Sequence, residues 1–523
     1  MRLSGALISA MFLSIMPQVN AEEKSEAAEP STVTISGLVD FGMGEVMAGN
    51  YRAVRTGNSG EWTQYPHLTS HQWFGNPLTR LNLDFKPTEK LTVRIGFEGN
   101  IFINTFPPEY KSEQASNGGS PLMPPFVGLA VHQAQGIFSF INNDAQSLSL
   151  SLGYFPYKYN PDVRNLGEFL FRSGTYPFFL VNDFNFPLAR LSGSLLHYTR
   201  GSEEDYKISV DQFLRVERNF APLNDFSLST IAGCTWKKII DASVGIDFSR
   251  LIPVNDDLTT PEGAAYPSAV DTMKDDAGAP ILDGNGYVQY IPRDTSGYYT
   301  FKGIKCMARA TIDPFGMIRG HDDGFVSRLL GANGGKVYGE VAVIGLKNYP
   351  ANPLFKGCNN VQQAQDQDNV YQINPWGYAS ISERMPWMVG VNIPLWKILD
   401  VCAFELERYP APYPNDVFQC LYNDALPIPS WSPYYRKDTI STDPNTGDPV
   451  LNPLGMDEYS GHRWYWSLYM QRKIGNSFSV YAQVARDHAR WEVNLGNEFN
   501  YTSEEIMGRT GDWSWRLGML LAF

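Results

Sequence analysis

The stretch that decides the fold of this protein is its last eleven residues, 513–523, which read WSWRLGMLLAF. The odd positions carry Trp, Leu, Met or Phe, whereas the even positions carry Ser, Arg, Gly, Leu and Ala. This period of two predicts a β-strand with one apolar face. Trp513 and Trp515 lie at one end of that face and Phe523 at the other, which suits a hydrocarbon layer bounded by aromatic side chains. The stretch alone leaves open a soluble edge strand.

The same alternation recurs along the chain. Residues 33–43 predict a first strand, and residues 81–85 and 91–103 predict a hairpin that turns at 87–90. Six more alternating pairs follow, at residues 134–154, 191–214, 228–248, 304–343, 387–406 and 464–484. In the third hairpin, Leu191 and Leu195 are expected to share the apolar face. Together with the terminal strand, these segments predict sixteen strands, an even number that suits a closed membrane barrel.

The connections between these strands alternate between short and long. Most short ones have two to six residues, whereas the long ones span 48–77, 104–129, 157–188, 251–297, 347–383, 409–461 and 489–511; 217–225 is brief. The alternating segments cover roughly ten to twelve residues, longer than the five or six typical of soluble sheets. Because no amphipathic helix is long enough to cover the apolar faces, lipid is the expected partner.

Bulk composition excludes some classes of function. The 523 residues carry 55 acidic and 42 basic side chains, a net charge of −13. This balance argues against non-specific nucleic-acid binding. No window offers eighteen consecutive apolar residues, so we expect no transmembrane helix.

The N-terminal region predicts export. Residues 1–21 have a basic start at Arg2, a short apolar core and a small-residue cleavage site, which indicates a secretory signal peptide. Residues 22–31 predict an acidic tether, and residues 32–523 the barrel itself.

The whole pattern from residue 32 onward resembles the porin-like β-barrels of the bacterial outer membrane, although no short motif identifies a subfamily. The resemblance implies an all-β, antiparallel up-and-down barrel with short periplasmic turns and long extracellular loops. It also implies a Gram-negative outer membrane, contacts with lipid and lipopolysaccharide, and passive diffusion of small hydrophilic solutes. Phe523 would be the terminal residue that the barrel assembly machinery reads. A homotrimer follows from analogy alone.

Charged residues fall on the polar face of the predicted strands, where they are tolerated only if that face is wet or paired. We therefore expect a polar lumen. The alternative is a plugged lumen whose charges cancel in structural pairs. Glu405 and Glu407 lie two apart on one strand and are expected to form a hydrated wall rather than an acid–base pair. The predicted pore-lining residues on strands are Arg80, Arg94, Glu98, Arg215, Arg309, Glu340, Glu405, Glu407, Arg463 and Arg516.

Residues 157–188 form the third long loop. In the porins that the chain resembles, this loop folds into the barrel and sets its constriction. The resemblance then implies that Asp162, Arg164, Glu168 and Arg172 line the narrow zone. An external loop packed on its neighbours remains the alternative.

Two cysteines, Cys358 and Cys420, are the only ones in long loops. Because the cell envelope permits disulfides, they could form a bond between the loops or remain two free thiols.

Motifs for catalysis are absent from the sequence. There is no His-Glu-x-x-His zinc motif, no Gly-x-Ser-x-Gly elbow and no Walker-type phosphate loop. We therefore expect no enzyme activity, no cofactor and no metal site. The main rival to a channel is a surface adhesin or binding barrel with a plugged lumen.

Overall fold

The structure is a computed structural model, and it describes the strands and parts of the loops. The described residues are 32–48, 52–56, 61–65, 73–75, 77–104, 126–169, 189–220, 223–252, 270–272, 274–275, 277–279, 281, 290–292, 303–315, 335–347, 354–356, 371–373, 381–393, 398–408, 440–442, 449–451, 464–486, 488–489, 506–507 and 513–523. The predicted signal peptide, 1–21, and tether, 22–31, lie outside them.

Sixteen long strands form the barrel. In chain order, β1 to β16 are Thr32–Ala48, Leu78–Thr88, Leu91–Asn104, Phe126–Asn143, Gln146–Tyr157, Ala189–Gly201, Tyr206–Phe220, Leu223–Trp236, Ile240–Ile252, Gly303–Ile312, Lys336–Lys347, Trp387–Asn392, Val401–Arg408, Trp464–Ile474, Phe478–Arg486 and Trp513–Ala522.

Each strand pairs antiparallel with its neighbours in the chain, and the sheet closes on itself. Leu38 of β1 lies opposite Arg80 of β2 on one side and opposite Ala522 of β16 on the other. A closed sheet leaves no row of unpaired backbone groups, which is what a strand structure needs inside a bilayer. The prediction of a sixteen-stranded up-and-down barrel is confirmed.

Short strands occupy the long connections. Trp73–Gly75 extends the barrel wall by pairing with residues 43–45 of β1 and with 103–104 of β3. Within the described parts of these connections, five two-stranded ribbons lie outside the barrel sheet. They pair residues 52–56 with 61–65, 270–272 with 290–292, 354–356 with 371–373, 440–442 with 449–451, and 488–489 with 506–507.

The two faces of the barrel wall differ in polarity. On β1, Val33 and Phe41 are 62% and 57% exposed on the outer face, whereas Asp40, next to Phe41 on the inner face, is 1% exposed. The same alternation places Leu517 and Met519 outward on β16. An exposed apolar belt of this extent would be a liability in water, and it has the pattern of a barrel surface that faces lipid tails.

One predicted face is wrong. Leu191 was expected to face lipid but is 1% exposed inside the barrel, whereas Leu196 is 39% exposed outside. The cause is the register of β6 against β5, in which the exposed Leu152 lies opposite Ser194 and therefore shares its face. Adjacent leucines at 195 and 196 gave the sequence no means to choose between the two faces.

Among the described residues, no helix is long and apolar enough to cross a membrane. The one helical segment that the structure describes is a single 3-10 turn, Ile381–Arg384.

Candidate functional site

The third loop enters the barrel. It leaves β5 at Tyr157, and its backbone reaches Glu405 and Glu407 on β13. β13 is the eighth strand after β5 in a ring of sixteen, so the two strands lie on opposite walls. Glu405 points inward, because its neighbour Phe404 is 45% exposed on the outside and Glu405 itself is 0% exposed. The described part of the loop, 158–169, therefore crosses the lumen.

Glu405 is the main anchor of the loop. Its Oε1 accepts the backbone N–H of Arg164 at 2.6 Å, and its Oε2 accepts those of Asn165 at 2.9 Å and Leu166 at 2.8 Å. The hydroxyl of Tyr338 donates to Oε1 at 2.8 Å. Four donors occupy the acceptor capacity of a carboxylate, and hydrogen bonds to a charged acceptor are stronger than neutral ones.

Two more carboxylates continue the same series. Glu407 accepts the N–H of Gly167 at 2.8 Å, and Glu340 accepts those of Glu168 at 3.0 Å and Phe169 at 2.6 Å. Six consecutive backbone N–H groups are thus bound by three inward carboxylates. Positive φ angles at Gly167 (82°) and Glu168 (62°) help to turn these groups toward the wall, as in backbone anion nests.

The expectation that Glu405 and Glu407 form a hydrated wall is wrong. Both are 0% exposed, and Glu340 is 4% exposed. Glu168 also faces away from water, because its carboxylate accepts the N–H groups of Tyr159 at 3.0 Å and Asn160 at 2.7 Å. It closes the loop on itself. The sequence reveals that these residues are inward and acidic, but not that a distant loop supplies their donors.

Ionic contacts fix the first half of the loop. Asp162 accepts from Lys336 Nζ at 3.1 Å and from Thr311 Oγ1 at 2.7 Å. Burial opposes the charged form of Asp162, but Lys336 and Thr311 outweigh burial and lower its pKa below the ordinary value. Lys158 donates to the carbonyl oxygen of Val163 at 2.6 Å, and burial lowers the pKa of its ammonium group.

Five of the predicted pore-lining arginines on the strands pair with carboxylates of nearby strands, a feature that the sequence analysis associated with the alternative of a plugged lumen. Each pair joins two adjacent strands, or two strands that are separated by one other strand. The pairs are Arg80 with Glu98 at 2.6 Å, Arg94 with Asp84 at 2.6 Å, Arg215 with Asp247, Arg309 with Asp241 at 2.8 Å, and Arg516 with Asp40 at 3.1 Å.

Tyrosines line part of the wall that the loop does not cover. Tyr481 donates to Asp40 at 2.9 Å by leaning across Gly518, where any Cβ would collide with its ring. The Arg516 guanidinium lies 5.4 Å from the Tyr481 ring centroid, and Tyr469 stacks on Tyr481 at 5.9 Å. The sequence analysis missed these tyrosines, although their inward position on the strands was a usable signal.

Arg164 differs from the other arginines. Its backbone is bound to Glu405, but its guanidinium makes no hydrogen bond or ion pair among the described residues, and its Nε is buried. Glu405, which binds the N–H of Arg164, lies opposite Ser467 on β14.

The architecture is porin-like. The chain forms a closed ring of sixteen strands, and its third long loop is held inside the lumen. The chain is similar in structure to an OmpF complex with daunomycin from Salmonella typhi, at 10% identity and a TM-score of 0.38, over 94% of this chain and 97% of that one. It is also similar to a variant of the Rhodopseudomonas blastica porin, at 7% identity and a TM-score of 0.35, over 94% of this chain and 100% of that one.

No protein-family model matches the sequence, and no curated protein matches it either. Identities and TM-scores this low carry no argument about function, so the function has to be inferred from the barrel itself.

The C-terminal residue of the porin-like barrel sits at its seam. Phe523 exchanges two backbone hydrogen bonds with Gly37, of 2.8 and 3.0 Å. Its ring covers Gly37 on the outer face, where a Cβ would collide with it. Phe523 is itself 60% exposed toward the lipid side.

Several predicted site residues lie outside the described part of the chain: Arg172, Arg463, Cys358 and Cys420. The Cys358–Cys420 bond stays a prediction. Within the described residues, no group of three or more His, Cys, Asp or Glu side chains could hold a metal ion.

Proposed function

We propose that this protein is an outer-membrane channel for the passive diffusion of small hydrophilic solutes. The observation that carries the proposal is the third loop, which is bound through six backbone N–H groups to inward carboxylates instead of lying over the barrel mouth. A loop built into the wall narrows a lumen to a defined width. Selection of solutes would then come from the lumen lining rather than from catalysis.

The setting that we propose is the Gram-negative outer membrane. The exposed apolar belt supports contact with lipid tails, and acidic extracellular loops such as 409–461 would face lipopolysaccharide. Residues 1–21 would direct export, and the barrel assembly machinery would read the strand that ends at Phe523. Epitope tags placed in 251–297 or 409–461 should be accessible on intact cells, whereas a tag at 87–90 should not.

A homotrimer is the assembly that we propose, and an outward polar seam of Ser192, Ser194, Gln212 and Thr230 supports it. Gln212 lies near the middle of β7 on the lipid side, where it accepts from Thr230 at 2.7 Å and donates to the Ser229 carbonyl at 3.1 Å. Its second amide N–H has no acceptor among the described residues. Unsatisfied polar groups are costly in hydrocarbon, so a second copy of the chain is the favoured neighbour.

Crosslinking of purified protein tests the seam. Gln212→Leu should shift the assembly toward monomers, whereas Thr79→Leu, on the outer face of β2, should not. Equal assembly of both variants would place the subunit interface elsewhere.

Single-channel recording tests the proposed function. Protein reconstituted in a planar bilayer should give discrete, ohmic conductance steps. A silent bilayer from folded protein would instead favour the surface adhesin or binding barrel with a plugged lumen.

A further inference from the structure

Two tryptophans meet on the outer surface of the barrel near its long-loop rim. Trp387 on β12 and Trp464 on β14 pack edge to face, with their ring centroids 5.4 Å apart. These two strands are separated by β13, and adjacent strands lie about 4.8 Å apart, so the rings meet across the end of β13. Tryptophan side chains favour the boundary between hydrocarbon and head groups, which places this pair at that level.

Arg408 occupies the same row on β13. It lies directly opposite Trp387 on one side and Trp464 on the other, so the three side chains share one face of the sheet. That face is the outer one, because Phe404, which has the same parity on β13, is 45% exposed there. The guanidinium carbon of Arg408 lies 5.9 Å from the Trp464 ring centroid, within the range of a cation–π contact. The outer surface of β13 thus changes from apolar to cationic at the row of the two tryptophans.

Arg408 has no acidic partner among the described residues. Its side chain is exposed and makes neither an ion pair nor a hydrogen bond within the part of the chain that the structure describes. Arg472, on the same outer face at the opposite end of β14, instead has Asp400 as a partner at 3.5 Å. The described residues therefore neutralise the arginine at one rim and leave the arginine at the other rim available to an anion of the membrane surface.

Phosphate is the anionic group that membrane lipids present at this level. A guanidinium offers planar N–H donors that match phosphate oxygens, and it recognises them with more defined geometry than an ammonium group does. Two tryptophan rings beside the guanidinium provide an apolar surface for the glycerol region and the first methylene groups of the same lipid. The set thus matches both parts of a phospholipid at the boundary.

We propose that Arg408, Trp387 and Trp464 form a binding site for the phosphate group of a lipid in the leaflet at the long-loop rim. The proposal rests on the membrane setting proposed above and goes beyond the channel function, because the site lies on the outside of the barrel. With 409–461 extracellular, this lipid belongs to the outer leaflet.

Native mass spectrometry of the barrel released from detergent counts the lipids that it retains. Wild-type protein should retain dioleoyl phosphatidic acid but not dioleoylglycerol, which has the same chains and no phosphate. Arg408→Gln should weaken the retention of phosphatidic acid at least about tenfold, because charge-assisted hydrogen bonds are lost. Arg408→Lys should restore part of it, and Trp387→Leu, which keeps the charge, should weaken it by a smaller factor. Circular dichroism verifies that each variant is folded.

Arg200→Gln is the matched control. Arg200 is also exposed on the outer face, at the opposite rim, but it lies opposite Gln146 and Ile208 instead of two tryptophans. This variant should retain phosphatidic acid like wild type. Equal losses in the two glutamine variants would indicate simple charge attraction and overturn the proposal, as would equal retention of dioleoylglycerol.

The remaining outcomes separate the lipid site from free phosphate and from the channel. Displacement of phosphatidic acid by inorganic phosphate at equal concentration would overturn the assignment of a lipid as the ligand. Because the assay needs no current, selective retention with a silent bilayer would refute the channel and keep the site. Ion currents without selective retention would refute the site alone.

Discussion

The backbone N–H of Leu166 donates to Glu405 Oε2 at 2.8 Å, and this bond joins residues 239 positions apart, one on the loop that leaves β5 and the other on the opposite wall of the barrel. It belongs to a set in which the buried carboxylate of Glu405 is satisfied by three backbone donors and one tyrosine, Tyr338. A buried charge is stable only when its hydrogen bonds are complete. The loop therefore supplies the donors that the buried carboxylate requires, and the carboxylate holds the loop in place.

Neutralising the anchor should free the loop. Glu405→Gln has one acceptor oxygen in place of two and puts an amide donor against backbone donors, so several bonds are lost at about 1–3 kcal/mol each. We expect larger and noisier single-channel conductance while the barrel itself still folds. Glu89→Gln, at the exposed turn between β2 and β3, removes the same charge and should behave like wild type. Unchanged conductance in Glu405→Gln would show that the loop is held by other contacts.

The Asp162–Lys336 contact should persist into acid. Because the pKa of Asp162 lies below its ordinary value of 3.8, the contact stabilises the folded state fully above that value. This stability is lost only as the pH falls through the lower folded-state pKa. Asp162→Asn should be less stable than wild type by about 1–3 kcal/mol near neutral pH. The difference, measured by urea unfolding, should shrink below pH 3.8; a difference that vanishes above pH 5 would contradict the assignment.

The two faces of β16 should respond differently to an added charge. Leu517 and Met519 are 54% and 49% exposed on the outer face. Arginine at either position should destabilise the barrel by about 2–4 kcal/mol if it lies near the membrane midplane. Ser514→Arg, on the inward face near the strand end, should have a mild effect. Equal losses of stability in refolding assays with lipid vesicles would contradict the assignment of faces.

Removal of Phe523 should impair closure. The deletion removes two backbone hydrogen bonds to Gly37 and the ring that covers that glycine. We expect slower assembly and less folded barrel in isolated membranes. Phe523→Tyr keeps the backbone bonds and an interfacial ring and should assemble almost normally. Normal assembly of the deletion would show that the seam does not depend on its last residue.

The sequence by itself determined the barrel. An alternation of period two is a local property, because side chains of a strand point to opposite faces whatever the strand pairs with. Reading residues 513–523 and repeating the same test upstream was enough to predict sixteen strands, the lipid-facing belt and the polar lumen. The method failed locally at β6, where leucines occupy both faces and only the register with β5 decides.

Only the tertiary structure decided what the inward charges do. Glu340, Glu405 and Glu407 read as ordinary polar-face residues, since nothing near them in the chain identifies the loop that binds them. Their donors are backbone N–H groups, which every residue except proline carries, so no side-chain motif marks the partner. Which inward carboxylates the loop occupies therefore depended on closure of the ring and on the path of the loop across it.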